Sequence, residues 1–310
     1  MYIQIANPIY DVVFRYLMED NKIAKLIIST IIEEEIESLT FLPQERTLEL
    51  TNRSLTVYRL DFSAKIKTKD GEQKNVIIEI QKAKFATDLM RFRRYLGEQY
   101  KNKDNYYIEK KKLKTKEGCK EIKRAMPILS IYFLGHKLEH NHIPVIKVEK
   151  KCYDIRTNTE LKQKENFIEG LTHDSYVIQI PCLSKDKKTE AEKLLSIFDQ
   201  SSQMENGHIL KIDENIYDEK YKEVIRRLER AIAKPEIRDT MDVEDDILEE
   251  LQNMERAIEK KDSIIQEKDS VIQEKDSVIQ EKDSVIQEKQ KALQEKDQII
   301  KELQNKLMKK

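Results

Sequence analysis

The chain has 310 residues, enough for one large domain or a medium domain with an appendage. Charged residues make up 37%, against a usual share of about 25%. They balance: 57 Lys+Arg and 58 Asp+Glu leave a net charge of −1, which excludes a uniformly basic nucleic-acid coat but not a local basic face. No apolar run approaches the roughly 18 residues of a membrane span, and MYIQIANPIYDVV lacks the basic start and apolar stretch of a secretory signal. Cys119, Cys152 and Cys182 are widely spaced and odd in number, which argues for a reducing, cytoplasmic setting.

From the N-terminus, Asn7 precedes Pro8 and predicts the cap of a helix through NPIYDVVFRYLMED; NKIAKLIISTIIEEEIESL predicts a second helix to about Leu39. LTVYRLDFSAKIKT then alternates, with Leu60, Phe62, Ala64 and Ile66 on one side and Asp61, Ser63, Lys65 and Lys67 on the other. Lys69-Asp70-Gly71 is a turn signal, and Lys74 to Lys82 alternates again, which predicts a β-hairpin. Phe85, Leu89, Phe92 and Leu96 predict a helix after the hairpin. MPILSIYFLGH, VIKVE and Tyr176–Ile180 predict strands, and TEAEKLLSIFDQ and YDEKYKEVIRRLERAIAK predict helices that end near Pro235. The fold class is α/β or α+β, a mixed sheet flanked by helices.

Composition places a boundary near residue 240, giving a domain at 1–240 and a charged helical tail at 241–310. From Asp262 the tail repeats DSIIQEK, DSVIQEK, DSVIQEK, DSVIQEK, with an apolar column from Leu251 through Ile258, Ile265 and Ile272 to Leu307. Lys268, Lys275 and Lys282 occupy the column that would complete a coiled-coil seam. The tail therefore reads either as a homo-oligomerisation helix with weak pairing or as a solvated helix with little partner affinity.

If residues 69–71 form the hairpin loop, strand partners have numbers adding to about 140, which sets Asp61 opposite Glu79. Opposed side chains lie roughly 4.5–5.5 Å apart, and like charges placed so are unfavourable unless a cation or a proton intervenes. Such a pair suits a hard cation that keeps waters and takes phosphate oxygens. The plainer reading is a solvent-exposed hairpin face carrying ordinary charges, and a one-residue slip in register would separate the two acids.

The segment LDFSAKIKTKDGEQKNVIIEIQKAK resembles the PD-(D/E)XK signature, in the version carried by the PD-(D/E)XK nuclease family transposases and recombination-promoting nucleases. NPIYDVVFRYLMEDNKIAKLI, RFRRYLGEQY and LTHDSYVIQIP with LLSIFDQ extend the resemblance over about residues 5–200. It implies a restriction-endonuclease-like core and a DNA endonuclease dependent on Mg²⁺, with Mn²⁺ as the alternative ion. It carries Asp61 and Glu79 onto the two motif acids, with the Ile80 carbonyl completing the metal ligands. Gln81 takes the place of the motif lysine, and Asp11 that of an acid near the active site. Two departures stand out: Leu60 replaces the motif proline, and glutamine brings hydrogen bonds but no charge. Lys65, on the Asp61 face, could supply that charge; Lys82 aims the other way.

Between Lys82 and Arg124 lie 15 Lys/Arg against 6 Asp/Glu; taken alone this charge run reads as a solvated loop, but its place beside the hairpin that carries the resemblance makes it, with Lys82, Arg91, Arg93 and Arg94 foremost, the expected DNA contact. The alternative function is a catalytically inactive nuclease-fold module that binds DNA or protein. His136, His140 and His142 read as a surface cluster rather than a zinc site, since no cysteine is near. His173 and Asp174 belong to the resemblance without a derived role, and no Gly-rich phosphate loop supports nucleotide hydrolysis.

Overall fold

A computed structural model describes residues 1–42, 45–47, 57–59, 62–84, 88–112, 119–163, 165–183, 187–204 and 206–307. In chain order the elements are β1 (Tyr2–Ala6), α1 (Asp11–Met18), α2 (Asn21–Ile32), β2 (Ile36–Phe41), β3 (Glu45–Thr47), β4 (Val57–Arg59), β5 (Phe62–Thr68) and β6 (Gln73–Gln81). Then come α3 (Asp88–Lys101), β7 (Tyr106–Lys112), β8 (Cys119–Ala125), β9 (Ile128–Leu134), β10 (Val145–Val148), β11 (Tyr153–Asp154) and β12 (Thr159–Glu160). The rest are α4 (Asn166–Leu171), β13 (Asp174–Gln179), α5 (Glu190–Leu195), β14 (Ile209–Asp213), α6 (Lys222–Ile232) and α7 (Pro235–Leu307).

The hairpin β5–β6 organises the main sheet, whose order is β10-β13-β9-β6-β5-β2. Its loop is tight because Gly71 takes φ 85°, a conformation glycine adopts without steric cost, and donates its N–H to the Thr68 carbonyl. The register follows from that loop: Phe62 faces Ile78, Ser63 faces Ile77, Lys65 faces Asn75 and Lys67 faces Gln73, each pair adding to 140. On its other side β6 pairs with β9 in parallel, and β9 pairs with β13 in parallel. The parallel link from β6 to β9 carries α3 and the ribbon β7–β8.

Both faces of the sheet are covered. Phe62, Ala64, Ile66, Val76, Ile78, Ile80, Ile131 and Phe133 join a large core with residues of α1, α2, α5 and α6. The opposite face packs Ile77 and Ile128 against Tyr95, Phe92 and Leu96 of α3. The hairpin face carrying Glu79 is therefore buried, which corrects the exposed-face reading: alternation marks the polar side of a strand but not what lies over it. Leu89, expected on the packed side of α3, is exposed, and Phe85 lies outside the described residues.

Two helix boundaries differ from expectation for electrostatic reasons. Helix α2 stops at Ile32 rather than near Leu39, with Glu33 in the left-handed region at φ 58°. Three successive glutamates at a helix C-terminus oppose the negative end of its dipole, and Glu34 and Glu35 instead meet Lys74 and Lys69. Ile36–Phe41 becomes the edge strand β2. Asn7 does not cap α1: its Oδ1 accepts from Ile9 N and from Gln200, while its amide donates to Gln200 and to the Gly207 carbonyl. The first N–H groups of α1 are taken by Glu244, which accepts from Asp11 N at 3.0 Å and Val12 N at 2.9 Å.

The chain divides into two compact units, Met1–Asp246 and Ile247–Lys310. In the second, Leu251, Ile258, Ile265, Ile272, Ile279, Ile286, Leu293 and Ile300 are exposed along the helix. Ser263, Ser270, Ser277 and Ser284 each return a 3.0 Å bond to the carbonyl four residues earlier. No helix among the described residues is long and apolar enough to cross a membrane.

Because Glu244 and Asp245 bond inside the first unit, the position of a truncation decides its effect. A chain ending at Asp246 should melt within a few degrees of the full chain, whereas one ending at Thr240 should lose about 2–4 kcal/mol and melt well below it. Circular dichroism melts of both truncations check this.

Candidate active site

Strand β6 positions three residues that were singled out from sequence. Glu79 and Gln81 lie on the α3 side, 3% and 4% exposed, while the Ile80 side chain points into the large core. Parallel pairing with β9 sets Tyr132 beside Glu79 and Leu134 beside Gln81. Phe92 of α3 packs on Tyr132 with ring centroids 4.6 Å apart, so this end of the sheet is roofed by an aromatic pair. Burial raises the Tyr132 pKa above its ordinary value, the Ser130 hydrogen bond opposes the rise, and the neighbouring Glu79 charge adds to it.

The carboxylate of Glu79 meets Arg91, whose Nη2 donates to Oε1 at 3.0 Å. The pairing follows from helix geometry, since Arg91 lies one position before Phe92 on the helix that covers the strand. Among the described residues, the Nε2 of Gln81 is buried without a hydrogen-bond partner, as is Ser63 Oγ on the same face of β5. Unpartnered buried polar atoms are rare in folded proteins and mark a place where a ligand or water can sit. Leu60 and Asp61 lie outside the described residues.

At the exit of β6, Gly135 donates its N–H to the Gln81 carbonyl at 2.6 Å. A Cβ there would stand 2.3 Å from the Lys82 carbonyl oxygen, so only glycine permits the approach. Leu138 N donates to Gln179 Oε1, and the Gln179 amide donates to the Asn141 and Ile143 carbonyls, which pins the loop after β9. Within that loop His140 and His142 are exposed and His136 is partly buried. Among the described residues, no group of three or more His, Cys, Asp or Glu forms a cluster able to hold a metal ion.

The remaining sequence candidates are dispersed. Lys82 turns to the opposite face from Glu79, lies 3.7 Å over the Tyr10 ring and pairs with Asp245. Asp245 also accepts from Tyr10 Oη at 2.8 Å and bonds His208 Nε2 at 2.8 Å. Burial pushes the Asp245 carboxyl up, but the bonds from Lys82, His208 and Tyr10 outweigh it and hold its pKa below the ordinary value. Asp11 pairs with Arg15 at 2.8 Å and sits beside Glu244; none of its described contacts reaches β6. Lys65 donates to the Asp104 carbonyl, and Arg93 and Arg94 are exposed on α3. His173 accepts or donates to Tyr100 Oη at 2.9 Å, while Asp174 receives Lys150 N.

Sequence reading missed Tyr10, His208, Glu244 and Asp245, which converge from segments as much as 235 residues apart. The acidic run DVEDD just ahead of the heptads is the signal that could have flagged the last two. Compared with protein-family models, curated proteins and solved structures, the chain has no match.

Removing the guanidinium breaks the ion pair of a buried carboxylate, so Arg91→Ala should cost about 3 kcal/mol in urea unfolding and Arg91→Lys markedly less. Burial raises the Glu244 pKa to about 7, with the Asp11 charge adding, against N–H bonds from Val12 and Asp11 and the charge of Arg15. An acid raised in the folded state contributes stability that is complete below its unfolded value and is lost as pH rises through the folded one. Between pH 5 and 8 this group should therefore remove about 2–3 kcal/mol, and Glu244→Gln should flatten that part of the pH–Tm profile.

Proposed function

We propose that the chain is a metal-dependent DNA endonuclease of the PD-(D/E)XK transposase type, hydrolysing phosphodiester bonds at Glu79 and Gln81. The observation that carries this reading is their placement: a carboxylate and an amide whose nitrogen has no partner among the described residues, both buried, on one face of a central strand beneath an arginine-bearing helix. Support also comes from the register adding to 140 along the described hairpin, which is the register the two-acid reading requires. The element order agrees with it as well: helices, an antiparallel hairpin, a helix, then a parallel strand beside the acid-bearing one.

In this reading Glu79, the Ile80 carbonyl and Asp61 hold Mg²⁺ or Mn²⁺. The donor chemistry fits a hard cation, since carboxylate and carbonyl oxygens are its preferred ligands. Such an ion supplies Lewis acidity toward water and phosphate oxygens. Arg91 neutralises Glu79 and is positioned to exchange that carboxylate for a phosphate group of the substrate, whose two free oxygens a guanidinium matches in a bidentate pair. Gln81 orients the attacking water through its amide, and Phe92 with Tyr132 excludes bulk water from the strand. Arg93 and Arg94, exposed on the same helix, contact the DNA backbone.

One observation favours a second reading, the inactive DNA- or protein-binding module: Glu79 already has its charge partner in Arg91, and the motif lysine is absent. Plasmid nicking with Mg²⁺, Mn²⁺ or EDTA separates the two. Glu79→Ala and Asp61→Ala should each abolish cleavage while keeping most of the DNA affinity, and Gln81→Lys should retain or raise it. Full cleavage by purified Asp61→Ala protein would sink the catalytic assignment.

A further inference from the structure

The geometry points to the ribbon β7–β8 as the element that enters the major groove of duplex DNA; this rests on reading DNA as the substrate. The two described strands carry six Lys/Arg against two Asp/Glu, a strongly positive element beside the candidate site. The two strands pair with each other from Tyr106–Ala125 to Lys112–Cys119 and, among the described residues, with no other strand. Seven residues per strand span about 24 Å at 3.4 Å per residue. A major groove about 12 Å wide admits a two-stranded ribbon.

The base of the ribbon is clamped to the strand that bears Glu79. Asn75 of β6 donates its side-chain amide to Gln99 Oε1 at 2.9 Å, and Asn105 donates to the same oxygen at 2.9 Å and to the Gln99 carbonyl at 2.8 Å. Met126 N closes on the Asn105 carbonyl at 3.0 Å, Asn75 N on the Pro127 carbonyl at 2.8 Å, and Lys65 Nζ on the Asp104 carbonyl at 2.8 Å. Beyond this clamp the ribbon is held by Tyr107 bonding Asn166 of α4. Ile108 and Lys123 are exposed on it.

Glu79 lies four positions along β6 from the clamp at Asn75, about 13 Å along the strand. That spacing is close to one groove width. With the ribbon seated in the groove, the phosphate backbone bordering it runs toward the strand that bears Glu79, and Arg93, exposed on the intervening helix, meets that backbone. The ribbon supplies position and affinity, and the buried face of β6 supplies the reaction.

The test uses the full chain in EDTA, so that binding is read without cleavage, on short duplex and single-stranded DNA by fluorescence anisotropy. One variant combines Lys111→Gln, Lys120→Gln and Lys123→Gln; the other replaces residues 110–121 by Asn-Gly. Each should weaken duplex binding by about tenfold or more at about 0.1 M salt, with the slope of log affinity against log salt falling by about 0.9 for each phosphate no longer engaged. Thermal melting of the triple variant controls for the fold. Unchanged duplex affinity and slope in both variants, equal losses on single-stranded DNA, or no duplex binding by the wild type would each overturn the proposal. Wild-type protein that binds duplex through the ribbon but never cuts with Mg²⁺ or Mn²⁺ would instead defeat the nuclease reading alone.

Discussion

A buried carboxylate on the central strand of the sheet is the constraint around which this structure is arranged. Taking Glu79 out of water costs several kcal/mol unless an opposite charge accompanies it. Arg91 provides that charge, and it can do so only because α3 lies directly over β6. The helix is held there by the small apolar cluster of Ile77, Ile128, Tyr95, Phe92 and Leu96 at one end and by the Asn75–Gln99–Asn105 amides at the other. A charge-assisted pair, an aromatic roof and an amide clamp thus act along one strand, and each fixes a different part of the same helix.

The opposite face of that strand is held by unrelated means. Where β6 ends, the chain passes Gly135 at a distance no other residue allows, and Lys82 then reaches Tyr10 and Asp245. Glu244, the residue before Asp245, caps α1. Two adjacent acids at the start of the long C-terminal helix therefore fix both the first helix of the chain and the residue following Gln81. The DNA contact expected at Lys82 from the local charge excess meets a competing demand here, because its ammonium is committed to Asp245 and the Tyr10 ring.

The parts of the fold legible in the sequence are those set by local chemistry. A glycine in a three-residue loop and strict alternation sufficed to place the β5–β6 register, and apolar spacing sufficed for α1, α3 and α6. What escaped was set by distant partners. Strand β1 pairs with β14 across the whole domain, Tyr2 with Asp213, and neither segment says so alone. The ribbon β7–β8 is lysine-rich, so strand propensity argued against it, and its pairing is a matter of the clamp at its base. The candidate site was half legible. Glu79 and Gln81 were found by alternation and resemblance, but their burial depends on a helix whose docking face shows only when Phe92, Tyr95 and Leu96 meet Ile77. Asp11, which the resemblance carries onto an acid near the active site, meets Arg15 and Glu244.

Charge is unevenly distributed along the chain. The second unit alternates acids and lysines along an exposed helix, while the stretch from Lys82 to Arg124, which includes α3 and the ribbon, carries 15 Lys/Arg against 6 Asp/Glu. In the proposed function Glu79 belongs to a cation site and not to a closed structural ion pair. Electron paramagnetic resonance of Mn²⁺ in the presence of a duplex tests this directly, comparing wild type with Glu79→Gln. Mn²⁺ should be bound stoichiometrically by the wild type and lost in the variant, with the fold retained. Equal Mn²⁺ binding by both proteins, or none by either, would contradict the assignment.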